Sequence, residues 1–558
     1  MANNHKYDKY TREELVDELE TLKKKKYGLV WDKKNSQEVL DAFVNWENVP
    51  ENFVPKQFPV LKEVKNKEID TDKDKPVNLL IEGDNYHSLA VLNFTHQNEI
   101  DVIYIDPPYN TGNKDFIYND KFVDRDDPFR HSKWLSFMEK RLKLAKNLLS
   151  KDGVMFVSID DNEQAQLKML CDEIFGEKNT ELMVWKKVGE GDAGAGRMKI
   201  TYRFRVEHEY IIVCYSQKDR ARFSKTLELP KFKNEYTNPD NDPRGPYKAG
   251  NMSRNEDNSS PEGKNYYTVV SPSGKKFSRQ WHFDKQIFDK LNKDKRIYWG
   301  KNGDSVPAIK IFINELRPTT PVSIIEGKGS ATSANKALKE MFGDRVFDNP
   351  KPLELIQYLL QISTKPNSLV LDFFAGTGTT GQAVLELNKN DKGSRKFILG
   401  TNNENGICTE VCHPRIEKVV NGYKNASDEN ISGLGGNLKY FKTDFVGSDS
   451  TDKNKRDLVN KSAEMICIKE DIFDLVADKG FDYKIYQKGK KFLGVIFDND
   501  AIAEFKKEAE KYKGNFVVYC FSYTEATPEK EFKGLKNKYV LKPIPAIILK
   551  IYIEIFKK

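Results

Sequence analysis

The chain has 558 residues, 38% hydrophobic and 31% charged, which excludes a disordered or fibrous protein and allows two to four globular domains. Its 91 basic and 84 acidic side chains leave a net charge of +7, which permits a polyanionic partner without demanding one. A polar start, six scattered cysteines and a late apolar stretch (544–556) broken by Lys550 and Glu554 argue against secretion and membrane spanning, so a cytoplasmic protein is expected.

In chain order, Thr11 followed by Glu14, with Leu15, Leu19 and Leu22 on one face, predicts a capped docking helix over 11–25. A lysine-rich link leads to Pro76, where an α/β pattern begins. Val77–Ile81 and Ile100–Ile105 read as strands, 134–149 as an amphipathic helix and Gly153–Ile159 as a further strand. Between about 181 and 343 the pattern turns irregular, with glycines crowding 189–196 and a strand-and-turn signal at Tyr266–Lys275. The α/β pattern then resumes, with strands at Ser368–Phe373 and Lys396–Gly400 and a helix over Thr379–Asn388. A last region follows Gly433–Gly436, with a helix near 470–477, strands at 492–497 and 515–521, and a closing apolar helix. The divisions expected are 1–75 (N-terminal extension), 76–180 and 344–445 (two halves of one doubly wound α/β sheet), 181–343 (insert) and 446–558 (C-terminal domain).

Asp372-Phe373-Phe374-Ala375-Gly376-Thr377-Gly378-Thr379-Thr380-Gly381 leaves a buried strand and opens a helix. Gly376, Gly378 and Gly381 match G-x-G-x-x-G, a weak signal alone but one in the right context for a nucleotide-like ligand. A dinucleotide, the methionine part of S-adenosylmethionine, and a tight turn with no ligand all remain open on these residues. Glu404, past the next strand, is the acidic candidate for ribose hydroxyls. Cys408, Cys412 and His413 cluster but lack a fourth ligand, so buried thiols rather than a metal are expected.

Asp106-Pro107-Pro108-Tyr109 follows the strand 100–105, and its prolines end that strand and stiffen the loop. A carboxylate, a rigid carbonyl and an aromatic ring suit an aryl amine, whose lone pair is delocalised into its ring. Asp106 and the Pro107 carbonyl can accept the two N–H bonds and favour a pyramidal nitrogen, while Tyr109 stacks on the base. A base inside a duplex must first be flipped out, at a cost of a few kcal/mol.

The two motifs together resemble the amino-methyltransferases of DNA, and their order is similar to the permuted β group, whose target-recognition domain lies between the halves. Asp at the first motif position resembles the adenine-N6 members; N4-cytosine methylation by the same chemistry is the alternative. Asp106–Gly112, Glu82–Asn85, Asn349–Pro352 and Pro272–Lys275 look like the modification (Mod) subunits of type III restriction-modification systems, a resemblance covering most of 76–445.

The resemblance implies a Rossmann-like methyltransferase sheet, an irregular α+β target-recognition domain at 181–343 and a C-terminal domain that supports dimerisation. It implies S-adenosylmethionine as cofactor, with Asp372, Phe374, Ala375, Gly376, Thr377, Gly378, Thr379 and Glu404 around it, Lys351 beside its methionine and Asp84 near its adenine. Asn110, Phe116, Tyr118 and Phe122 become candidates for the flipped-base pocket, and Arg197, Lys199, Arg203 and Arg205 for phosphate contacts. His208 reads as structural. With no G-x-x-x-x-G-K-Ser/Thr loop, ATP hydrolysis is expected from a separate helicase-nuclease subunit if the chain works in a restriction complex; a stand-alone methylase needs none.

Overall fold

The computed structural model describes residues 11–12, 57–72, 75–112, 116–118, 121–124, 126–187, 204, 206–228, 233–447, 449–521 and 529–544. All but the first two residues of the expected helix at 11–25, and the apolar segment after Ile544, lie outside them. The chain divides into two compact units, Met1–Phe223 with Val322–Lys558, and Ser224–Pro321.

The larger unit is built around one main sheet. In chain order its strands are β1 (Gln57–Glu63), β2 (Val77–Glu82), β3 (Ile100–Ile105), β4 (Leu149–Ile159), β5 (Thr180–Lys186), β6 (His208–Tyr215), β7 (Ile324–Ile325), β8 (Leu369–Asp372), β9 (Lys396–Thr401) and β10 (Asn437–Gly447). In space they run β1-β10-β2-β9-β8-β3-β4-β6-β5-β7, with Ile69–Asp70 pairing alongside β10. Every neighbour from β10 to β4 is parallel. The outer strands β1 and β6 are antiparallel to β10 and β4.

Parallel neighbours need crossovers, and helices supply them on both faces. The helices are α1 (Asn85–Thr95), α2 (Arg130–Leu148), α3 (Gln164–Phe175), α4 (Leu353–Ser363), α5 (Thr379–Asp391), α6 (His413–Asn421) and α7 (Asp452–Glu470). Ile103, Ile105 and Leu371 face a core shared with α1, α2, α3 and α7. Val102, Val370 and Leu399 face the opposite core, with α4, α5 and α6. The run β2-α1-β3-α2-β4 and the run β8-α5-β9-α6-β10 interleave, so that β9 and β8 insert between β2 and β3.

The C-terminal stretch differs from its expected pattern. The helix predicted near 470–477 ends at Glu470, where Asp471 takes a left-handed conformation (φ 57°) and closes it with an N–H donated to the Cys467 carbonyl. Asp474–Asp478 then becomes the first strand of a five-stranded sheet with 483–488, 491–496, 515–520 and 539–542. Short polar side chains tolerate the left-handed region, which is why an aspartate stops a helix that apolar periodicity alone would continue.

The smaller unit holds a three-stranded sheet (247–251, 308–312, 297–298), a helix at Lys285–Lys293 and the hairpin 266–270 with 276–280. Gly274, at φ 87°, supplies the turn. Met252, Phe277, Trp281, Phe288 and Trp299 form its core. Among the described residues no helix is long and apolar enough to cross a membrane.

Leu371, on the central strand β8, is fully buried. Leu371→Ala should destabilise the larger unit by about 2–5 kcal/mol, read as a lowered urea midpoint of its unfolding transition.

Candidate active site at the carboxyl edge of the sheet

β3 and β8 leave the sheet side by side. Val370 pairs with Val102 and Leu371 with Ile103, so Asp106 and Asp372 emerge at the same edge. The register is fixed at the other end, where Asp101 Oδ2 accepts the Leu369 N–H at 3.0 Å across 268 residues of sequence. Both motifs therefore leave the sheet at one edge, the carboxyl ends of parallel strands, which is the usual ligand position in such sheets.

The loop after β3 is held from below. Trp134, fully buried on α2, donates its indole N–H to the Pro108 carbonyl at 2.8 Å. Asn110 adopts φ 57° and is itself buried; its amide donates to Glu163 Oε1 at 2.6 Å and to the Arg130 carbonyl at 3.3 Å. His131 Nδ1 lies 2.7 Å from the same Glu163 oxygen. Burial raises the Glu163 carboxyl, and Asn110 and His131 oppose that rise. Asn110 thus turns the chain back under the proline pair, anchored by a carboxylate within the core.

Four polar groups meet above this loop. Tyr109 donates its hydroxyl toward Asp106 Oδ1 at 2.9 Å, with Glu209 Oε2 at 3.2 Å as a second acceptor. The Lys351 ammonium donates to the Tyr109 oxygen at 2.6 Å and reaches Asp106 Oδ1 at 3.0 Å and Glu209 Oε2 at 3.2 Å. Lys187 approaches Glu209 Oε1 at 3.4 Å. Burial pushes the Asp106 carboxyl above its ordinary value; Lys351 opposes and Glu209 reinforces the rise. Burial also works against ionised Glu209, but the two lysines outweigh it and hold that carboxyl below the usual range. Desolvation would strip Lys351 of its proton, yet the two carboxylates beside it keep it charged. Asp106 Oδ1 is occupied by this cluster, so Oδ2 is the oxygen left to accept from a ligand.

In the second motif the three glycines act differently. Gly376 has φ 49°, and a Cβ there would meet nothing nearer than 3.9 Å, so the backbone faces open space that a ligand can fill. Gly378 at φ 79° caps the start of α5. A Cβ at Gly381 would lie 2.7 Å from Ile416 Cδ1, so its absence lets α5 pack closely against α6. Asp372 shapes the turn itself: Oδ1 accepts the Phe374 N–H at 3.0 Å and Oδ2 the Thr380 hydroxyl at 2.6 Å. The buried Arg415 guanidinium ties down the Thr377 and Thr379 hydroxyls, each at 2.8 Å.

The remaining sequence candidates scatter more widely. Asp84 caps α1 by accepting the Tyr86 N–H at 2.7 Å and pairs with Arg141 at 3.2 Å. Glu404 is exposed on a short turn beyond β9. Phe374 is half-buried, and Phe116 packs in the core edge-on to Phe137, their ring centres 5.2 Å apart. Tyr118 and Phe122 fall on a two-stranded ladder whose backbone alone is described. Arg197, Lys199, Arg203 and Arg205 lie outside the described residues. Lys351, expected beside the cofactor's methionine, sits on the Asp106 cluster. His208 meets Tyr210 at 3.0 Å, while its neighbour Glu209, which the sequence reading passed over, joins the cluster. A lone glutamate in a strand carries no motif; the signal available was its place in Glu207-His208-Glu209-Tyr210, polar residues leading into the apolar run Ile211–Val213.

The family model for DNA methylase, covering N6 and N4 methyltransferases, matches residues 100–413. The Mod subunit of the type III restriction-modification enzyme StyLTI from Salmonella typhimurium is 30% identical over 495 residues, covering 81% of this chain and 74% of the relative. The EcoPI Mod subunit of Escherichia phage P1 is 33% identical, over 68% of this chain and 64% of its own length. The type II methyltransferase M.KpnI of Klebsiella pneumoniae is 32% identical, over 63% of this chain and 85% of its own length.

The turn also predicts a pH dependence. Burial raises the Asp372 carboxyl to about 7, with Thr380 and Phe374 opposing and Asp106 adding to the rise. An unfolded aspartate ionises near ~4, so between the two values the folded chain binds the extra proton and stability falls as pH rises. Asp372→Asn should remove that component. Its melting temperature should drop less from pH 5 to pH 7 than the wild type's; equal slopes would refute the assignment.

Proposed function

The chain belongs to the DNA methylase family that modifies exocyclic amino groups, and from that premise we propose that it methylates adenine N6 in duplex DNA as the modification subunit of a type III restriction-modification system. The observation that carries the chemistry is the side-by-side exit of β3 and β8, which gives one crevice both a glycine turn and an acceptor carboxylate. S-adenosylmethionine is the methyl donor, supplying when bound an electrophilic methyl group on a cationic sulfur. The chain's residues fit it: Gly376 leaves backbone open to a ligand within the turn Phe374–Thr379, and Asp372 fixes that turn. Asp84 and Glu404 lie past β2 and β9, and on this reading they serve its adenine and ribose.

At the reacting centre Asp106 Oδ2 and the Pro107 carbonyl accept the target's N–H bonds and turn its lone pair outward. Tyr109 presents a ring for the flipped base, which recovers roughly 1–3 kcal/mol of the cost of unstacking. Aspartate in this position, rather than a hydroxyl, favours adenine. The alignment with a type III Mod subunit runs over 81% of the chain, against 63% for the type II enzyme, which favours the Mod reading over a stand-alone methylase. On that reading the partners are duplex DNA, a second copy of the chain and a helicase-nuclease subunit, the C-terminal sheet serves assembly, and the protein acts in the cytoplasm. Of the stretch expected as an insert, 181–343, only Ser224–Pro321 forms a unit of its own, because Thr180–Lys186, His208–Tyr215 and Ile324–Ile325 belong to the main sheet, and that smaller unit then reads the sequence.

Incubation with methyl-labelled S-adenosylmethionine and duplex DNA, followed by nucleoside analysis, should yield N6-methyladenine; N4-methylcytosine would replace the adenine assignment. Asp106→Ala should lower kcat/KM by roughly 30-fold to 10³-fold, the ~2–4 kcal/mol of one lost preorganised contact. Undiminished transfer would overturn the mechanism.

A further inference from the structure

Methyl transfer to an amine leaves a proton to be disposed of. As the donor's C–S bond breaks and its electron pair stays on sulfur, the target nitrogen gains a C–N bond and a positive charge. That charge is discharged when one of its N–H protons passes to an acceptor, and Asp106 is the carboxylate in reach on the reading above. A carboxylate locked against an ammonium would be a poor acceptor, and Lys351 lies 3.0 Å from Asp106. The lysine is shared, however: Glu209 on β6 takes it at 3.2 Å through the Oε2 that also faces the Tyr109 hydroxyl.

We propose that Glu209 and Lys351 are positioning residues that set the proton affinity of Asp106, with Glu209 retaining the Lys351 ammonium when Asp106 takes the proton from the methylated amine. This rests on the methyltransferase reading and adds to it two residues that act through Asp106. The geometry is that of a carboxylate pair bridged by one cation. With Asp106 ionised, Lys351 bridges both carboxylates; once Asp106 is protonated, the ammonium keeps a full partner in Glu209 instead of being stranded in a desolvated site, where a lone charge is costly. The buried proton then leaves Asp106 to water as product departs.

The charged and titratable groups facing Asp106 are Lys351 ahead of α4, Glu209 on β6, Tyr109 on its own loop, Tyr104 on β3 and Asp372 at the end of β8; Lys187 acts on it through Glu209. Of these only Lys351 favours the ionised form by its charge, and Glu209 opposes it. Deleting each charge must therefore move Asp106 in opposite directions. Tyr109 stays neutral, its hydroxyl pushed well above its ordinary value by burial and by the two carboxylates.

The test is the pH profile of kcat/KM for methylation of duplex DNA by the full chain, for wild type, Glu209→Gln, Glu209→Asp and Lys351→Met. Glu209→Gln should move the acid limb down by about half a pH unit or more, and Lys351→Met should move it up. Glu209→Gln should also lower kcat about tenfold at neutral pH, part of the ~10²–10⁴ that a positioned proton acceptor contributes, with KM for both substrates little changed. Glu209→Asp should restore the acid limb. Limbs that stay put, or move in the same direction in both variants, overturn the proposal even if activity falls, because a purely structural role changes amplitude without that opposition. Melting temperatures of the variants identify any that fail to fold, and Glu209→Asp then carries the comparison. A wild-type chain that transfers no methyl group to DNA at any pH would instead remove the methyltransferase reading.

Discussion

The Asp101 carboxylate accepts a hydrogen bond from the Leu369 backbone and so sets the register between two strands drawn from distant parts of the chain. The pairing of β8 with β3 follows from it, and every functional distance at the carboxyl edge follows from the pairing. Because side chains alternate along a strand, a slip of one residue would exchange the two cores on opposite faces of the sheet. The apolar load on both faces makes such a slip costly: Ile103 and Leu371 are buried on one side, Val102 and Val370 on the other. A single half-buried polar contact therefore marks a register that packing on both faces enforces.

The charge cluster depends on the same frame. Asp106 arrives from β3, Glu209 from β6, and Lys351 from the segment ahead of α4, so no local stretch of chain contains the site. Two carboxylates sharing one ammonium avoid the penalty of an unpaired buried charge, and Lys187 at the rim partly balances the second carboxylate. The arrangement leaves one face of Asp106 free while fixing the other. Preorganisation of this kind avoids reorienting polar groups during the reaction.

Beneath the loop, the structure makes a tight left-handed turn where the sequence shows only a polar residue. Asn110 takes a left-handed conformation that asparagine tolerates, and its amide is held by Glu163 inside the core. The proline pair was legible as a stop to β3, because proline cannot donate to a ladder. The anchor was not, because His131 opens α2 and Glu163 stands at the start of α3, and no spacing rule connects them to Asn110. Asp372 gave a similar lesson. Its place before the glycine turn suggested a ligand contact, and the structure adds a second task, since its two oxygens also accept from the turn's own Phe374 and Thr380.

The alternation of buried strands with amphipathic helices, the breaks at proline and glycine, and the two motif loops were determined by the sequence alone, since each depends on residues within a few positions of one another. The helix expected near 470–477 was not, because a single aspartate in a left-handed conformation outweighed the apolar pattern. Tertiary structure alone decided that β9 and β8 insert between β2 and β3, that Lys351 belongs with Asp106, and that Glu209 belongs to the site at all. These are pairings between residues far apart in the chain. Local propensity carries no information about them; sheet register and the exclusion of water do.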